Sequence, residues 1–189
     1  MSPRDSGSEP EADSSVATSW DGSMRELLWG QFGAAIEMLE NAMRACPDDL
    51  WRDRSRRPEY WYVAYHTLFW LDLYLSEAVE GFTPPAPYTL DELDPAGVMP
   101  DRPYEKPELL AYLAHGREKC RASIAALTAT RLRKRCVFRW GEISLLELLL
   151  YNMRHVQHHT AQLNLILRQE TDSAPGWVGR TAPLTEGRP

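Results

Sequence analysis

The sequence predicts an all-α protein, a four-helix bundle with a long proline-rich crossover between helices 2 and 3. Four segments carry apolar residues at steps of three and four, which is the period of an amphipathic helix. Seven of the 14 prolines fall between positions 81 and 107, where they interrupt this period. A single turn of helix is expected within that connection, at residues 89–93. A crossover of this length permits bundle topologies that short hairpins do not.

The first two helices have recognisable end signals. Helix 1 is predicted to begin at a capping box formed by Ser23 and Glu26 and to end at Pro47. Helix 2 is predicted to begin near Pro58, because the missing N–H of proline needs no partner in a first turn, and to end at Gly81. Aromatic residues run right around helix 2. This surplus exceeds what one face can bury and predicts a homodimer.

The last two helices follow the crossover. Helix 3 is predicted over residues 107–127. Helix 4 is predicted from Ser144, which forms a second capping box with Glu147, to about residue 169. Residues 136–140, between these helices, form one short apolar run, which does not decide between a strand and a loop.

The 189 residues are predicted to form one domain between two tails. Residues 1–18 are rich in Ser, Asp, Glu and Pro, so they are expected to be a disordered N-terminal tail. Residues 19–170 form the bundle, and residues 171–189 form a C-terminal tail. Trp177 either pins this second tail to the bundle or leaves it free.

Charge and cysteine content disfavour several classes of protein. A formal net charge of -6 argues against a nucleic-acid binder, which needs a basic face. Three cysteines without C-x-x-C spacing argue against a disulfide framework and fit a reducing, cytoplasmic compartment. No apolar run is long enough to cross a bilayer, so no membrane partner is expected. The sequence also has no glycine-rich phosphate loop, no serine-hydrolase elbow and no H-E-x-x-H motif.

The strongest functional signal is a group of histidines. His155 and His159 are four residues apart on helix 4, so they share one face of it, within a stripe that is apolar above and below them. His66 lies in the middle of one face of helix 2 and is the leading candidate for a third ligand. Three neutral imidazoles suit Zn²⁺, Ni²⁺ or a similar divalent ion and leave a coordination position open. The alternative is a hydrogen-bonded core cluster without metal.

Ligating imidazoles need hydrogen-bond partners that fix their tautomers. Gln162 and Asn152, in the same stripe of helix 4, are candidates for this role. Glu59 lies seven residues before His66 and is a third candidate, although a solvated carboxylate favoured by the helix dipole explains it more simply. His158, on the flank of the stripe, is either an outer hydrogen-bond donor or a residue that faces a partner or solvent.

The pattern H-x-x-H-H-x-x-Q at residues 155–162, after an upstream helical histidine, resembles the DinB-like superfamily of bacterial metalloproteins. The resemblance covers about residues 23–169. It implies a four-helix bundle, often a homodimer, with a metal site commonly holding Zn²⁺ or Ni²⁺ on His66, His155 and His159. Characterised relatives include thiol transferases that use low-molecular-weight bacterial thiols and a thiol-dependent isomerase. In these the metal binds and activates the thiol as thiolate.

These observations lead to a functional hypothesis with two alternatives. The leading hypothesis is a metal-dependent S-transferase that acts on a small molecule, with a low-molecular-weight thiol as co-substrate. The first alternative is a metal-dependent hydrolase that uses a metal-bound water. The second is a non-catalytic metal-binding or dimerisation module. The sequence identifies no catalytic residue beyond the candidate ligands.

Overall fold

The computed structural model describes residues 14–184 and shows a bundle of four long helices. The prediction of an all-α fold is confirmed, with one small hairpin added. No helix in the described part of the chain combines the length and apolarity that a membrane crossing requires. The long helices are α1 (Ser14–Ala45), α3 (Tyr60–Leu75), α4 (Lys106–Ala125) and α6 (Leu145–Thr171). The short elements are α2 (Asp48–Trp51), α5 (Ala129–Leu132), β1 (Arg135–Phe138) and β2 (Gly141–Ser144).

The helices pack in a square. Both α1 and α3 pack against α4 and against α6, so α1 lies diagonally opposite α3. The packing surface between α3 and α6, here called the α3/α6 seam, carries the candidate ligands. Asn152 of α6 is fully buried in this seam, and its Nδ2 donates to the carbonyl of Leu71 on α3 at 3.0 Å. The amide therefore ties the two helices together.

Helix α1 begins earlier than its local signal predicts. It starts at Ser14, so the expected capping box at Ser23 lies inside the helix. Residues 14–22 contain no proline, and Gly22 alone weakens a helix without ending it. Of the predicted tail at residues 1–18, positions 1–13 lie outside the described residues, and the backbone of the remainder is helical.

Capping boxes open both α4 and α6, and the one at α6 was predicted from the sequence. The Ser144 hydroxyl accepts from the Glu147 N–H at 3.3 Å, and the Glu147 carboxylate accepts from the Ser144 N–H at 2.9 Å. A second reciprocal pair, Glu105 and Glu108, opens α4 with Pro107 in its first turn. These bonds satisfy backbone N–H groups that have no partner within the helix.

The aromatic residues of α3 are absorbed within the chain. Tyr60, Trp61 and Tyr65 are buried, and the Tyr60 hydroxyl donates to the carbonyl of Ala42 at 2.8 Å. Most of the surplus that suggested a second subunit is therefore covered by this chain's own helices and connection, whereas Tyr62 and Trp70 are half-buried. The homodimer itself stays a prediction.

Tyrosines hold the long connection between α3 and α4 against the bundle. Tyr88 stacks on Tyr112 of α4 with ring centroids 4.1 Å apart, and Tyr104 packs against Tyr65 of α3 at 4.9 Å. All four rings are buried. The helical turn expected in this connection is a short 3₁₀ helix, Asp91–Leu93. The tyrosines thus fix where that turn lies over α3.

The undecided segment before α6 is part of a hairpin. Strands β1 and β2 pair antiparallel, with Phe138 opposite Gly141. Gly141 has φ +146°, which side-chain-bearing residues rarely adopt, so the tight turn requires glycine at this position.

The C-terminal tail is pinned to α1, but Trp177 is not what pins it. Trp177 is 73% exposed, whereas Thr181 is buried. The Thr181 N–H donates to the carbonyl of Gly30 at 3.0 Å, and its side chain lies directly over Gly33. Glycine on α1 therefore makes room for the tail.

We expect alanine at Gly33 and at Gly22 to have opposite effects. A β-carbon at Gly33 overlaps the Thr181 side chain, so Gly33→Ala should lower the free energy of unfolding by about 1–3 kcal/mol and speed tryptic cleavage after Arg180. At Gly22 a β-carbon meets no described atom within 4 Å, so Gly22→Ala should raise that free energy by about 0.5–1 kcal/mol. Urea unfolding measures both. Equal stabilisation by the two variants would contradict tail docking at Gly33.

Candidate metal centre

Three histidine rings meet on the α3/α6 seam. Nε2 of His66 and Nε2 of His155 are 3.4 Å apart. The ring centroid of His159 lies 4.8 Å from that of His66 and 4.5 Å from that of His155. One nitrogen from each ring lies within 4.8 Å of the others. These are the three residues that the sequence pattern selects.

Hydrogen bonds at Nδ1 orient two of the rings. Nδ1 of His66 is 2.6 Å from a carboxylate oxygen of Glu92, which only accepts, so this nitrogen carries the proton. Nδ1 of His159 lies 2.7 Å from the side-chain oxygen of Gln162 and likewise donates. In both rings Nδ1 is engaged by this bond, so Nε2 is the nitrogen available to a metal ion. Such partners fix the tautomer that a metal-binding imidazole needs.

Glu92 is the functional residue that sequence reasoning missed. It belongs to the Asp91–Leu93 turn of the connection, and its side chain is only 4% exposed. The same oxygen that contacts His66 accepts from Nε1 of Trp70 at 2.9 Å. Burial by itself would raise the pKa of Glu92, but hydrogen bonding and charge from His66 outweigh it and lower that pKa. The carboxylate is therefore ionised at neutral pH.

Burial sets the charge of two of the three rings. Burial, followed by repulsion from His159 and His66, lowers the pKa of His155 to about 3. Burial also lowers the pKa of His159. Nδ1 of His155 has no hydrogen-bond partner among the described residues. Both rings are thus neutral at pH 7, the state in which imidazole binds a metal ion.

The other predicted partners are placed differently. Gln162 contacts the group, and its amide nitrogen also lies 3.3 Å from Nε2 of the exposed His158. Asn152 faces the α3 backbone instead, as described above. Glu59 is buried against Arg54, Arg57 and Trp61 and does not contact His66.

The prediction for Glu59 fails for a geometric reason. Seven residues along a helix correspond to about 10 Å of rise, which is too far for a hydrogen bond even on the same face. Glu92 is 26 positions after His66 and reaches it through the tertiary fold. Its one sequence signal was an acidic residue in the expected helical turn of the connection.

The cysteines of the chain do not supply a reactive thiolate. Cys46, Cys120 and Cys136 are all free and buried. Burial raises the pKa of Cys46 to about 12 and also raises the pKa values of Cys120 and Cys136. Thiols of this kind are inert at neutral pH.

The histidine group fits a divalent ion. Two nitrogens held tetrahedrally on one Zn²⁺ at about 2.1 Å are about 3.4 Å apart, which is the observed separation of the His66 and His155 Nε2 atoms. Three protein ligands leave a coordination position for another molecule. An open groove of about 500 Å³ runs past one of these rings. It is lined by Tyr151, Arg154, His155, Gln157, His158 and Ala161.

Comparison with known proteins places this site in a family. A model of the DinB superfamily matches residues 31–163, a range that includes α3, α4, most of α6 and all three histidines. Searches of curated proteins and of solved structures returned no significant match. The matched range covers more than half of the chain, and the bundle and the three-histidine group agree with the family. The chain belongs to the DinB superfamily.

Proposed function

We propose that this protein is a cytoplasmic, metal-dependent S-transferase that joins a low-molecular-weight thiol to an electrophilic small molecule. The observation that carries the proposal is the convergence of three imidazoles, each with one ring nitrogen within 4.8 Å of the others. Only three protein ligands are present in this group, so a substrate atom has a place at the ion. That arrangement is typical of catalytic rather than structural sites.

In this proposal, His66, His155 and His159 hold Zn²⁺ or Ni²⁺. A divalent ion supplies positive charge that lowers the pKa of a coordinated thiol or water. Glu92 and Gln162 orient two of the ligands through Nδ1. The aromatic rings of Tyr62 and Trp70 flank His66 on α3.

The thiol comes from outside the chain, because the three cysteines are buried and protonated. In the transfer, a bond forms between the thiol sulfur and an electrophilic carbon while the bond from that carbon to its leaving group breaks. The thiol proton is released with the leaving group. The family resemblance, in which characterised relatives use bacterial thiols, supports this choice over hydrolysis.

We expect the purified protein to bind one equivalent of Zn²⁺ or Ni²⁺ per chain. His66→Ala, His155→Ala and His159→Ala should each weaken binding by more than about a hundredfold, because loss of a ligand exceeds the effect of losing an outer partner. His115→Ala is the matched control, since His115 lies on α4 beside Asp72 and away from the group. Metal analysis and competition with a chelator measure this. Unchanged affinity in all three variants would contradict the site.

Glu92→Gln should weaken metal binding by about 10- to 100-fold while leaving the fold intact, because it replaces the anionic acceptor at Nδ1 of His66 with a neutral one. Glu59→Gln is the comparison, since Glu59 contacts arginines rather than a histidine. The metal affinity of the Glu59→Gln variant should equal that of the unsubstituted chain. The reverse ranking would restore Glu59 as the partner of His66.

The metal-loaded protein should catalyse reaction of a bacterial thiol with a chlorinated nitroarene, releasing chloride. His159→Ala should reduce the rate to that of the uncatalysed reaction, because the thiol is no longer activated. The assay follows absorbance of the thioether product with and without thiol. Absence of turnover above the His159→Ala background would reject the transferase. Turnover of esters or amides without thiol would instead support the metal-dependent hydrolase.

A further inference from the structure

An aromatic surface continues the α3/α6 seam from the histidines to the hairpin. The ring of Trp140 stacks on Tyr151 with centroids 4.9 Å apart and on Phe138 with centroids 5.4 Å apart. Tyr74 packs edge-on against Tyr151 and Phe138, each at 5.3 Å. We call these four residues, Tyr74, Phe138, Trp140 and Tyr151, the aromatic shelf. It joins α3, the hairpin and α6.

The aromatic shelf adjoins the candidate metal centre. The ring centroid of Tyr74 lies 6.2 Å from that of His155. Tyr151 precedes His155 by one helical turn, and both line the same groove. Tyr151 is therefore the member of the shelf that joins it to the groove beside His155.

Within the shelf, a large aromatic ring is left open to solvent. Trp140 is 47% exposed although it already stacks on two rings, while Tyr74 beneath it is buried. The Gly141 turn and the pairing of β1 with β2 hold the indole in place. Burial and a hydrogen bond to Tyr151 raise the pKa of Tyr74, so this support stays uncharged. A fixed ring of this kind offers a stacking partner at little entropic cost.

The charge beside the shelf is positive. Arg154 is exposed, lines the groove with Tyr151 and His155, and forms no ion pair with any described residue. The described residues that line this groove include no carboxylate. An arginine that is free to bind favours a planar anion such as a carboxylate.

We infer that the aromatic shelf and Arg154 bind a planar aromatic carboxylate, which is the electrophilic substrate of the site. The assignment of this molecule as the substrate rests on the proposed function, but its binding to the shelf does not. The ring stacks on Trp140, the carboxylate pairs with Arg154, and the rest of the molecule extends toward the histidines. Aromatic acids are selected over aliphatic acids by stacking, and over neutral aromatics by charge.

Calorimetric titration of the metal-loaded full chain with 2-naphthoate tests the inference. Trp140→Ala should weaken binding by about three- to tenfold, and Trp140→Phe should restore most of it. Val137→Ala is the matched control, because Val137 lies on the same hairpin and is 65% exposed outside the shelf. Arg154→Gln should weaken the binding of 2-naphthoate by about threefold without affecting the binding of 2-naphthamide. Arg168→Gln, another exposed arginine of α6, should change neither ligand.

Two comparisons separate the shelf from the metal. Cyclohexanecarboxylate, which carries the charge without a planar ring, should bind more weakly than 2-naphthoate. In metal-poor His159→Ala the dependence on Trp140 should persist, because stacking needs no ion. Equal binding of both acids, or an effect of Val137→Ala equal to that of Trp140→Ala, would overturn the inference.

The outcome is independent of the transferase assay. Binding that depends on Trp140 in a protein without transferase activity would support the shelf and reject the proposed function. Thiol transfer by a protein that does not bind 2-naphthoate would support the proposed function and reject the inference about the shelf. Sedimentation in which Trp140→Ala dissociates a dimer, with no binding of 2-naphthoate, would assign the shelf to a protein contact and overturn the inference.

Discussion

The Nε2 atoms of His66 and His155 face each other across the α3/α6 seam at 3.4 Å. Because the proton of His66 is on Nδ1, at least one of these facing nitrogens has only a lone pair to offer. Burial keeps His155 neutral, so its single ring proton on Nε2 would form a hydrogen bond to Nε2 of His66. A divalent cation in the place of that proton accepts both Nε2 lone pairs at once. The rest of the site is arranged around this one interaction.

The connection between α3 and α4 is part of the site rather than a passive link. It brings Glu92 to His66, and Tyr88 and Tyr104 hold it in place against α3 and α4. A carboxylate with a side chain only 4% exposed is costly to bury without partners, and its partners here are an imidazole and the Trp70 indole. The orientation of His66 therefore depends on tyrosine packing elsewhere in the bundle.

Features set by residues close in the sequence could be predicted, whereas contacts set by the tertiary fold could not. The pairing of His155 with His159 follows from helical spacing, and the start of α6 follows from the Ser144 cap, because both depend on residues within one turn. Glu92 could not be selected, since it lies 26 positions after His66 and the irregular backbone of the connection sets the distance between them. Helix α1 extends past Ser23 because a capping signal does not stop a helix that can continue.

Between the histidines and the hairpin, the α3/α6 seam has a buried layer and an exposed layer. Toward the bundle interior, Asn152 joins α6 to the α3 backbone and excludes solvent. Toward the hairpin, the seam ends in stacked rings, with Trp140 half exposed. A ligand that approaches His155 along the groove meets Tyr151 and Arg154, which line it. Which residues an incoming ligand meets thus depends on which side of the seam the bundle covers.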